Sequence, residues 1–249
     1  MKIDKIYNCD CLQGMKIIPD NSIDCIICDL PYGKTACAWD IVIPFDKLWE
    51  QYKRIRKPNA PILLFGSEPF SSMLRMSNLK EFKYDWIWDK MNLYTGVLNS
   101  RYMPMKRHEI ISVFYKKVPT YNKQMRKGAP YTMTRNTKGV GEYASSTYKR
   151  VKTVNEGWRN PCSILEIEGG NKSEKGLHPT QKPVKLIEYL IKTYSNEGDI
   201  ILDNCIGSRT TAIAAIREKR HFIGFELDKG YYEIACKRIK DEQQVSKTL

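Results

Sequence analysis

The sequence contains few histidines and no long apolar run, and each absence narrows the range of functions. Only three histidines occur among 249 residues, at His108, His178 and His221, and they are widely spaced. A histidine-based metal centre or catalytic triad is therefore not expected. No apolar stretch approaches the roughly 18 residues that cross a membrane, and the N-terminus lacks the apolar segment of a secretory signal. We expect a cytoplasmic protein without membrane attachment.

Eight cysteines are present, and several of them lie in apolar, strand-like surroundings. This placement suits small buried residues in a reducing compartment. Cys25 and Cys28 form a close pair, as Cys9 and Cys11 do. Residues three apart in an extended strand point to opposite faces, so Cys25 and Cys28 cannot easily share a metal ion. We predict no metal site.

Acidic residues are scarce relative to basic ones, since 28 Asp and Glu stand against 41 Lys and Arg, a net charge of +13. Residues 101–175 contain 16 Lys and Arg against 6 Asp and Glu, which gives +10 in less than a third of the chain. Aromatic residues such as Tyr131 and Trp158 are interleaved with these charges. The combination is typical of a surface that follows phosphates and touches bases. Nucleic acid is the favoured partner, and a solvated, partly disordered loop is the alternative.

Short apolar runs alternate with helical patterns on both sides of the basic stretch. Strands are predicted at residues 23–28, 61–65, 84–88, 110–115, 200–203 and 222–225. Helices are predicted at residues 46–56, 183–194, 210–219 and 229–240. This alternation predicts an α/β fold with an open, doubly wound, mostly parallel sheet. Residues 1–117 and 176–249 are then two halves of one domain, and residues 118–175 are a basic, loop-rich insertion.

The tetrapeptide Asp29-Leu30-Pro31-Tyr32 follows an apolar strand and combines a carboxylate, a stiff turn and an aromatic ring. The amino group of a base is a poor nucleophile because its lone pair is delocalised into the ring. A carboxylate that accepts its N–H bonds, helped by a backbone carbonyl, frees that lone pair. Tyr32 can stack on a base that has left the duplex, and Pro31 fixes the turn. An ordinary exit from a strand into a loop is the alternative.

A second constellation joins a strand, a glycine-containing turn and a helix over residues 200–211. Such a turn lets the backbone approach a ligand closely. Glu226 ends the next strand, about twenty residues on, where a carboxylate reaches the ribose hydroxyls of a nucleoside in a Rossmann-like unit. The turn lacks the P-loop pattern of nucleoside triphosphatases. Only Gly207 is available for the three glycines of a dinucleotide site.

A third segment, His178-Pro179-Thr180-Gln181-Lys182-Pro183, leads into an apolar helix. Together the three segments resemble the adenine-N6 and cytosine-N4 amino-methyltransferases of DNA, and the match spans nearly the whole chain. The family's D-P-P-Y motif, its D-P-F-x-G-S-G-T-T cofactor loop and its H-P-T-Q-K-P segment are each recognisable. The order is catalytic half, recognition segment, cofactor half. This is the family's β arrangement, in which the motif order of the Rossmann-like domain is permuted.

The resemblance implies that the cofactor is S-adenosylmethionine and that methyl transfer is direct, without a covalent enzyme intermediate. It assigns Asp29 and the Leu30 carbonyl to the target amino group and Tyr32 to the base. It places the cofactor against Asp10, Lys182, Asp203, Gly207, Ser208, Thr210 and Glu226. The implied partner is double-stranded DNA, and a homodimer and a partner restriction endonuclease are left open. Adenine is the expected base, because D-x-P-Y is more typical of adenine enzymes and S-P-P-Y of cytosine-N4 enzymes.

Two positions depart from the family pattern. Leu30 replaces a proline, which is tolerable because only its carbonyl is needed. Arg209 stands where the family has the second glycine of G-S-G, so a β-carbon and a long cation are expected to strain the turn or crowd the cofactor. Cytosine-N4 methylation, RNA methylation and a catalytically impaired DNA-binding protein therefore remain alternatives.

Overall fold

The computed structural model describes residues 1–33, 40–137, 149–169, 181–207 and 209–248. The chain separates into two compact units. The larger contains Met1–Asn122 and Ser163–Leu249, and the smaller contains Lys123–Cys162. The strands are β1 (Lys5–Asn8), β2 (Cys25–Cys28), β3 (Ile62–Gly66), β4 (Phe82–Asp89), β5 (His108–Phe114), β6 (Arg126–Lys127), β7 (Tyr131–Thr137), β8 (Lys149–Asn155), β9 (Trp158–Arg159), β10 (Ile164–Glu166), β11 (Ile200–Asp203) and β12 (His221–Glu226). The helices are α1 (Cys11–Met15), α2 (Phe45–Ile55), α3 (Phe70–Ser77), α4 (Val184–Tyr194), α5 (Thr210–Arg217) and α6 (Lys229–Thr248).

An eight-stranded sheet organises the larger unit, in the order β1-β12-β11-β2-β3-β5-β4-β10. Neighbouring strands pair in parallel except where β5 pairs with β3 and β4. The Rossmann-like, mostly parallel α/β fold is thus confirmed. From β11 the chain proceeds through α5 to β12 on one side, and from β2 through α2 to β3 on the other. The crevice between the carboxyl ends of β11 and β2 is the usual ligand site of such sheets.

Two hydrophobic clusters cover the two faces of this sheet. One contains side chains of α4, α5 and α6, and the other contains side chains of α1, α2 and α3. All residues of β2 and β3 are buried, which explains their uninterrupted apolar sequence. Cys25 belongs to the first cluster and Cys28 to the second, so the two thiols face opposite sides of the sheet as expected.

The smaller unit is more regular than the sequence indicated. The prediction of a loop-rich stretch was wrong for β7 and β8, which pair along seven residues each as an antiparallel hairpin, and for β6 and β9, which form a second ladder. Side chains along both faces of the hairpin are exposed, Met133 and Val154 among them. A strand that buries neither face has no apolar alternation, so its sequence resembles that of a loop.

Several short elements of the larger unit were not predicted either. These are β1, α1, α3 and β10, each at most eight residues long. The predicted elements at residues 46–56, 183–194, 200–203 and 222–225 all occur within a few residues of their expected bounds. None of the helices in the described ranges combines the length and apolar character needed to cross a bilayer.

Candidate active site

A cavity of about 460 Å³ opens at the carboxyl ends of β2, β11 and β12 in the larger unit. All described residues of the predicted site line it: Asp10, Asp29, Leu30, Pro31, Tyr32, Lys182, Asp203, Gly207, Thr210 and Glu226. Ser208 and the first three residues of the third segment, His178, Pro179 and Thr180, lie outside the described residues. Positions up to 216 apart in sequence are thereby brought to one cavity, because parallel strands place their carboxyl ends on one edge.

The tetrapeptide forms the wall of the cavity that follows β2. The Tyr32 hydroxyl donates a hydrogen bond to Asp29 Oδ1 at 2.6 Å. The Tyr32 ring packs against Phe70, with 4.9 Å between ring centroids. Burial, reinforced by the Asp29 carboxylate, raises the pKa of Tyr32, so the hydroxyl remains a donor at neutral pH. These contacts fix the carboxylate and hold the aromatic ring beside it.

Asp29 is also the end of a chain of buried charges. Lys182 Nζ donates to Asp29 Oδ2 and lies 3.3 Å from Glu109 Oε2. Glu109 Oε1 in turn lies 2.5 Å from Lys90 Nζ. Burial lowers the pKa of Lys182, but the two carboxylates outweigh it and the net pKa is raised. Burial likewise opposes ionisation of Glu109, but Lys182 and Lys90 hold its pKa below the usual value. Lys182 and Glu109 are therefore charged at neutral pH.

Sequence reasoning did not identify Glu109 or Lys90. Glu109 is the second residue of β5, Lys90 directly follows β4, and the residues that they contact are distant in sequence. Only the pairing of Asp89 with His108 across β4 and β5 brings Lys90 close to Glu109. Lys182 was expected near the cofactor's methionine portion, and the structure places its ammonium group on Asp29 within the same cavity.

A second wall of the cavity holds Asp203, at the end of β11, the strand beside β2. Asp203 Oδ2 accepts a hydrogen bond from Thr211 Oγ1 at 2.6 Å, and Oδ1 accepts one from the Cys205 backbone N–H at 3.1 Å. Burial raises the pKa of Asp203 to about 6, although both hydrogen bonds act in the opposite direction. The next residue, Asn204, accepts a hydrogen bond from the buried Tyr52 hydroxyl. This network orients the turn after β11.

Glu226 and Asp10 complete this wall. Glu226 Oε1 accepts a hydrogen bond from the Asp228 backbone N–H at 2.9 Å. Burial raises the pKa of Glu226. Asp10 caps α1 by accepting the Gln13 backbone N–H at 3.0 Å. In the part of the chain that the structure describes, no salt bridge involves Asp203, Glu226 or Asp10.

Arg209 adopts the left-handed backbone conformation that a glycine favours, with φ of 63° and ψ of 21°. The expected strain of the turn is present. The expected crowding is absent, because the Arg209 side chain does not line the cavity. It is fully buried and donates to the Ile234 carbonyl of α6. Burial lowers its pKa to about 10, and its Nε and Nη2 have no hydrogen-bond partner among the described residues.

The walls between the polar groups are apolar. They are formed by side chains that include Ile27, Phe65, Ile187, Phe225 and Leu227. The cavity volume lies in the range of pockets that enclose small organic ligands. Carboxylates among apolar side chains suit a ligand with hydroxyls, a flat ring and positive charge. Asp29 can accept hydrogen bonds from an amino group.

Comparisons with known proteins point to one family. The model of the DNA methylase family N6_N4_Mtase matches residues 23–237. The Type II methyltransferase M.HpaI of Haemophilus parainfluenzae is 31% identical over 245 residues, which cover 93% of this chain and 72% of that protein.

Solved structures show the same fold at lower identity. The crystal structure of the M1.HpyAVI–SAM complex is 24% identical, with a TM-score of 0.61 over 94% of this chain and 98% of that chain. The PvuII DNA methyltransferase, described as cytosine-N4-specific, is 16% identical, with a TM-score of 0.66 over 97% of this chain and 92% of that chain.

Proposed function

This chain belongs to the N6/N4 family of DNA methylases, and we propose that it transfers a methyl group from S-adenosylmethionine to the N6 amino group of adenine in double-stranded DNA. The observation that carries the proposal is the position of Asp29. Its carboxylate lies in the same cavity as Asp203 and Glu226, and Tyr32 and Lys182 hold it there. An acidic first residue of the tetrapeptide, rather than serine, favours adenine over cytosine.

The cavity fits S-adenosylmethionine by the chemistry of its polar groups. Glu226 is available to accept hydrogen bonds from ribose hydroxyls, as the acidic residue at the end of the second strand does in Rossmann-like units. Asp10 would lie near the adenine ring, and Asp203, Gly207, Ser208 and Thr210 near the methionine portion. Carboxylates that form no ion pair within the described part of the chain complement a ligand that is itself positively charged. When bound, this ligand supplies a methyl group already activated on a sulfonium.

Asp29 acts on the other reactant. Each carboxylate oxygen has two acceptor sites, so Asp29 can accept N–H bonds from the target base while it keeps Tyr32 and Lys182. The Leu30 carbonyl accepts the second N–H, and the amino nitrogen then directs its lone pair toward the methyl group. Tyr32 stacks on the base. Fixed geometry and an activated methyl group supply most of the rate enhancement. No covalent enzyme intermediate is needed.

Lys182 keeps the Asp29 carboxylate in position during this step. The ammonium group is buried and bridges Asp29 and Glu109. The ion pair fixes the direction in which the free acceptor sites of the carboxylate point. Lys182 is therefore a positioning residue in this proposal, in addition to any contact with the cofactor.

The orientation of Arg209 argues against an impaired protein. Its guanidinium group lies against α6 and does not occupy the cavity. Residues 118–175 are proposed as the target-recognition segment, because they carry much of the excess basic charge together with exposed aromatic residues such as Trp158. Phosphate contacts from this segment would make DNA affinity depend steeply on salt.

The experiment that tests the proposal is analysis of modified nucleosides. Unmethylated phage λ DNA would be incubated with the protein and isotopically methyl-labelled S-adenosylmethionine, digested to nucleosides and resolved by mass spectrometry. We expect label in N6-methyladenine. Label in N4-methylcytosine would show that the target base is cytosine rather than adenine. Absence of label from every nucleoside would overturn the proposed activity. Sequencing of the same DNA would give the recognition site.

A further inference from the structure

The segment between β4 and β5, residues 91–105, carries a concentration of exposed apolar side chains. We call it the β4–β5 loop. Its exposed large apolar residues are Met91, Leu93, Tyr94, Val97, Leu98, Tyr102, Met103 and Met105. Leu98 is 96% exposed and Tyr102 is 84% exposed. So many apolar side chains on one short surface segment indicate contact with a partner.

The loop has a defined conformation. Thr95 and Lys106 exchange two backbone hydrogen bonds of 2.9 Å, which extend the β4–β5 hairpin. Beyond this bridge, Gly96 takes a positive φ of 84° and a 3-10 turn covers Val97–Asn99. The backbone N–H of Tyr102 donates to the Asn99 carbonyl at 2.9 Å. Leu98 and Tyr102 are therefore presented to solvent by a hydrogen-bonded tip.

The loop lies at the catalytic edge of the sheet. Since β5 is antiparallel to β3 and β4, the hairpin turn emerges where β2 and β3 end, and Asp29 directly follows β2. Lys90, which directly precedes the loop, is ion-paired with Glu109 of β5. Glu109 in turn contacts Lys182, which is ion-paired with Asp29. The root of the loop is thus joined to the proposed catalytic carboxylate by direct contacts.

The charge of the segment is of one sign. The loop contains Arg101 and is followed by Lys106, with no Asp or Glu among residues 91–106, while Lys90 and Arg107 are ion-paired with Glu109 and Asp89. Apolar tip residues on a segment with only basic charges fit a polyanion whose interior is apolar, which describes duplex DNA. A second copy of the chain fits less well, because an isologous contact would bring the same basic residues together.

We propose that the β4–β5 loop inserts into DNA beside the target nucleotide, with Leu98 and Tyr102 in the space that the target base leaves. This inference rests on the proposed function. Asp29 lies inside the cavity, so a base stacked in the duplex cannot reach it and must rotate out. The bases next to the vacated position lose a stacking partner, and apolar side chains replace part of that contact. The charged chain from Asp29 to Lys90 couples the inserted loop to the pocket that receives the base.

The test compares a loop variant with a matched control. Leu98→Ser with Tyr102→Ser removes the tip, and both side chains are so exposed that folding should be preserved. Leu79→Ser with Val118→Ser removes two exposed apolar residues, 60% and 81% exposed, at the opposite edge of the sheet. Single-turnover methyl transfer to λ DNA would be measured for both variants and the wild type. Calorimetric affinity for S-adenosylmethionine and mass photometry would be measured alongside.

We expect transfer by the loop variant to fall about 10- to 100-fold, since loss of one base-stacking side chain has effects of that order. The control variant should stay within about twofold, and all three proteins should bind S-adenosylmethionine equally. On a synthetic duplex of the sequenced site whose target base lies opposite an abasic position, the loop variant should recover most of the loss, because that base rotates out without loss of pairing.

Three results would overturn the inference. Wild-type transfer by the loop variant would show that the tip does not act on DNA. An equal defect on the abasic duplex would show that the tip does not assist rotation of the base. A dimeric wild type beside a monomeric loop variant would assign the surface to a second copy of the chain. Absence of transfer by the wild type would instead reject the proposed function, and the inference with it.

Discussion

The two walls of the cavity hold carboxylates in opposite electrostatic surroundings. On the catalytic wall, Asp29 is ion-paired with Lys182, which also contacts Glu109. On the cofactor wall, Asp203 and Glu226 accept hydrogen bonds only from neutral donors, within the described part of the chain. Burial raises the pKa of Asp203 to about 6 and also raises that of Glu226, and a nearby carboxylate acts in the same direction on each, Asp29 on Asp203 and Asp228 on Glu226.

This difference divides the work between the walls. The protein supplies the positive charge for Asp29, so the carboxylate is ready to accept N–H bonds whether or not a cofactor is bound. No described residue forms an ion pair with Asp203 or Glu226, and under the proposed function a positively charged ligand stabilises their ionised forms when it binds. Under the proposed function, the wall that holds Asp29 is thus prepared in advance, and the wall that holds Asp203 and Glu226 is completed by S-adenosylmethionine.

The largest expected effect is on catalysis at the paired wall. Asp29→Asn replaces an acceptor of N–H bonds by an amide that can donate to the wrong partner, so kcat for DNA methylation should fall at least about 1,000-fold. The matched control is Asp24→Asn, because Asp24 precedes the same strand and also pairs with a lysine, Lys57, at 2.5 Å. Single-turnover rates that fall equally in both variants would contradict a catalytic role for Asp29.

The next effect is on stability, and it should differ between the walls. Glu109→Gln removes the negative charge that lies between Lys182 and Lys90. Loss of one partner from a buried ion pair lowers the free energy of unfolding by about 3–5 kcal/mol. Glu226→Gln removes a carboxylate whose burial is not compensated, so it should not lower that free energy. Urea unfolding of both variants measures the difference. Equal losses would mean that the walls are not electrostatically distinct.

A smaller effect concerns pH. Asp203 is protonated below its pKa of about 6, so the affinity for S-adenosylmethionine should weaken about 10-fold between pH 7.5 and pH 5. The folded-state pKa lies above the ordinary aspartate value of 3.8, so protonation of this group favours the folded state, and unfolding driven by Asp203 does not explain the loss of affinity. Calorimetric titration of Asp203→Asn should give a flatter pH profile. An equally steep profile would assign the dependence to another group.

The smallest effect is expected at Arg209. Arg209→Gly restores the residue that the left-handed backbone favours, and it removes a side chain that contacts α6 rather than the cavity. Affinity for S-adenosylmethionine should therefore remain within about twofold of the wild-type value, since substitutions that leave a site's contacts intact have small effects on it. A gain of tenfold or more would show that Arg209 obstructs the cofactor wall.

The sequence predicted what depends on local pattern and on motif order. The strands at residues 200–203 and 222–225 and the residues at their ends followed from apolar runs that stop at Asp203 and Glu226. The Lys90–Glu109–Lys182–Asp29 chain could not be predicted, because its members come from four segments and only the strand order brings them together. The β7–β8 hairpin was missed because strands with two exposed faces lack periodicity. The burial of Arg209 depends on the packing of α6 against α5, which no local pattern encodes.

The most direct test of the difference between the walls is a pair of calorimetric titrations with S-adenosylmethionine, on Asp29→Asn and on Glu226→Gln. If Lys182 balances the negative charge of Asp29 and the ligand balances that of Glu226, the first variant should bind within about threefold of the wild type. The second should bind about 10- to 100-fold more weakly, the usual loss for a hydrogen bond to a charged group. Equal weakening of the two variants, or a greater loss for Asp29→Asn, would contradict this division of the cavity.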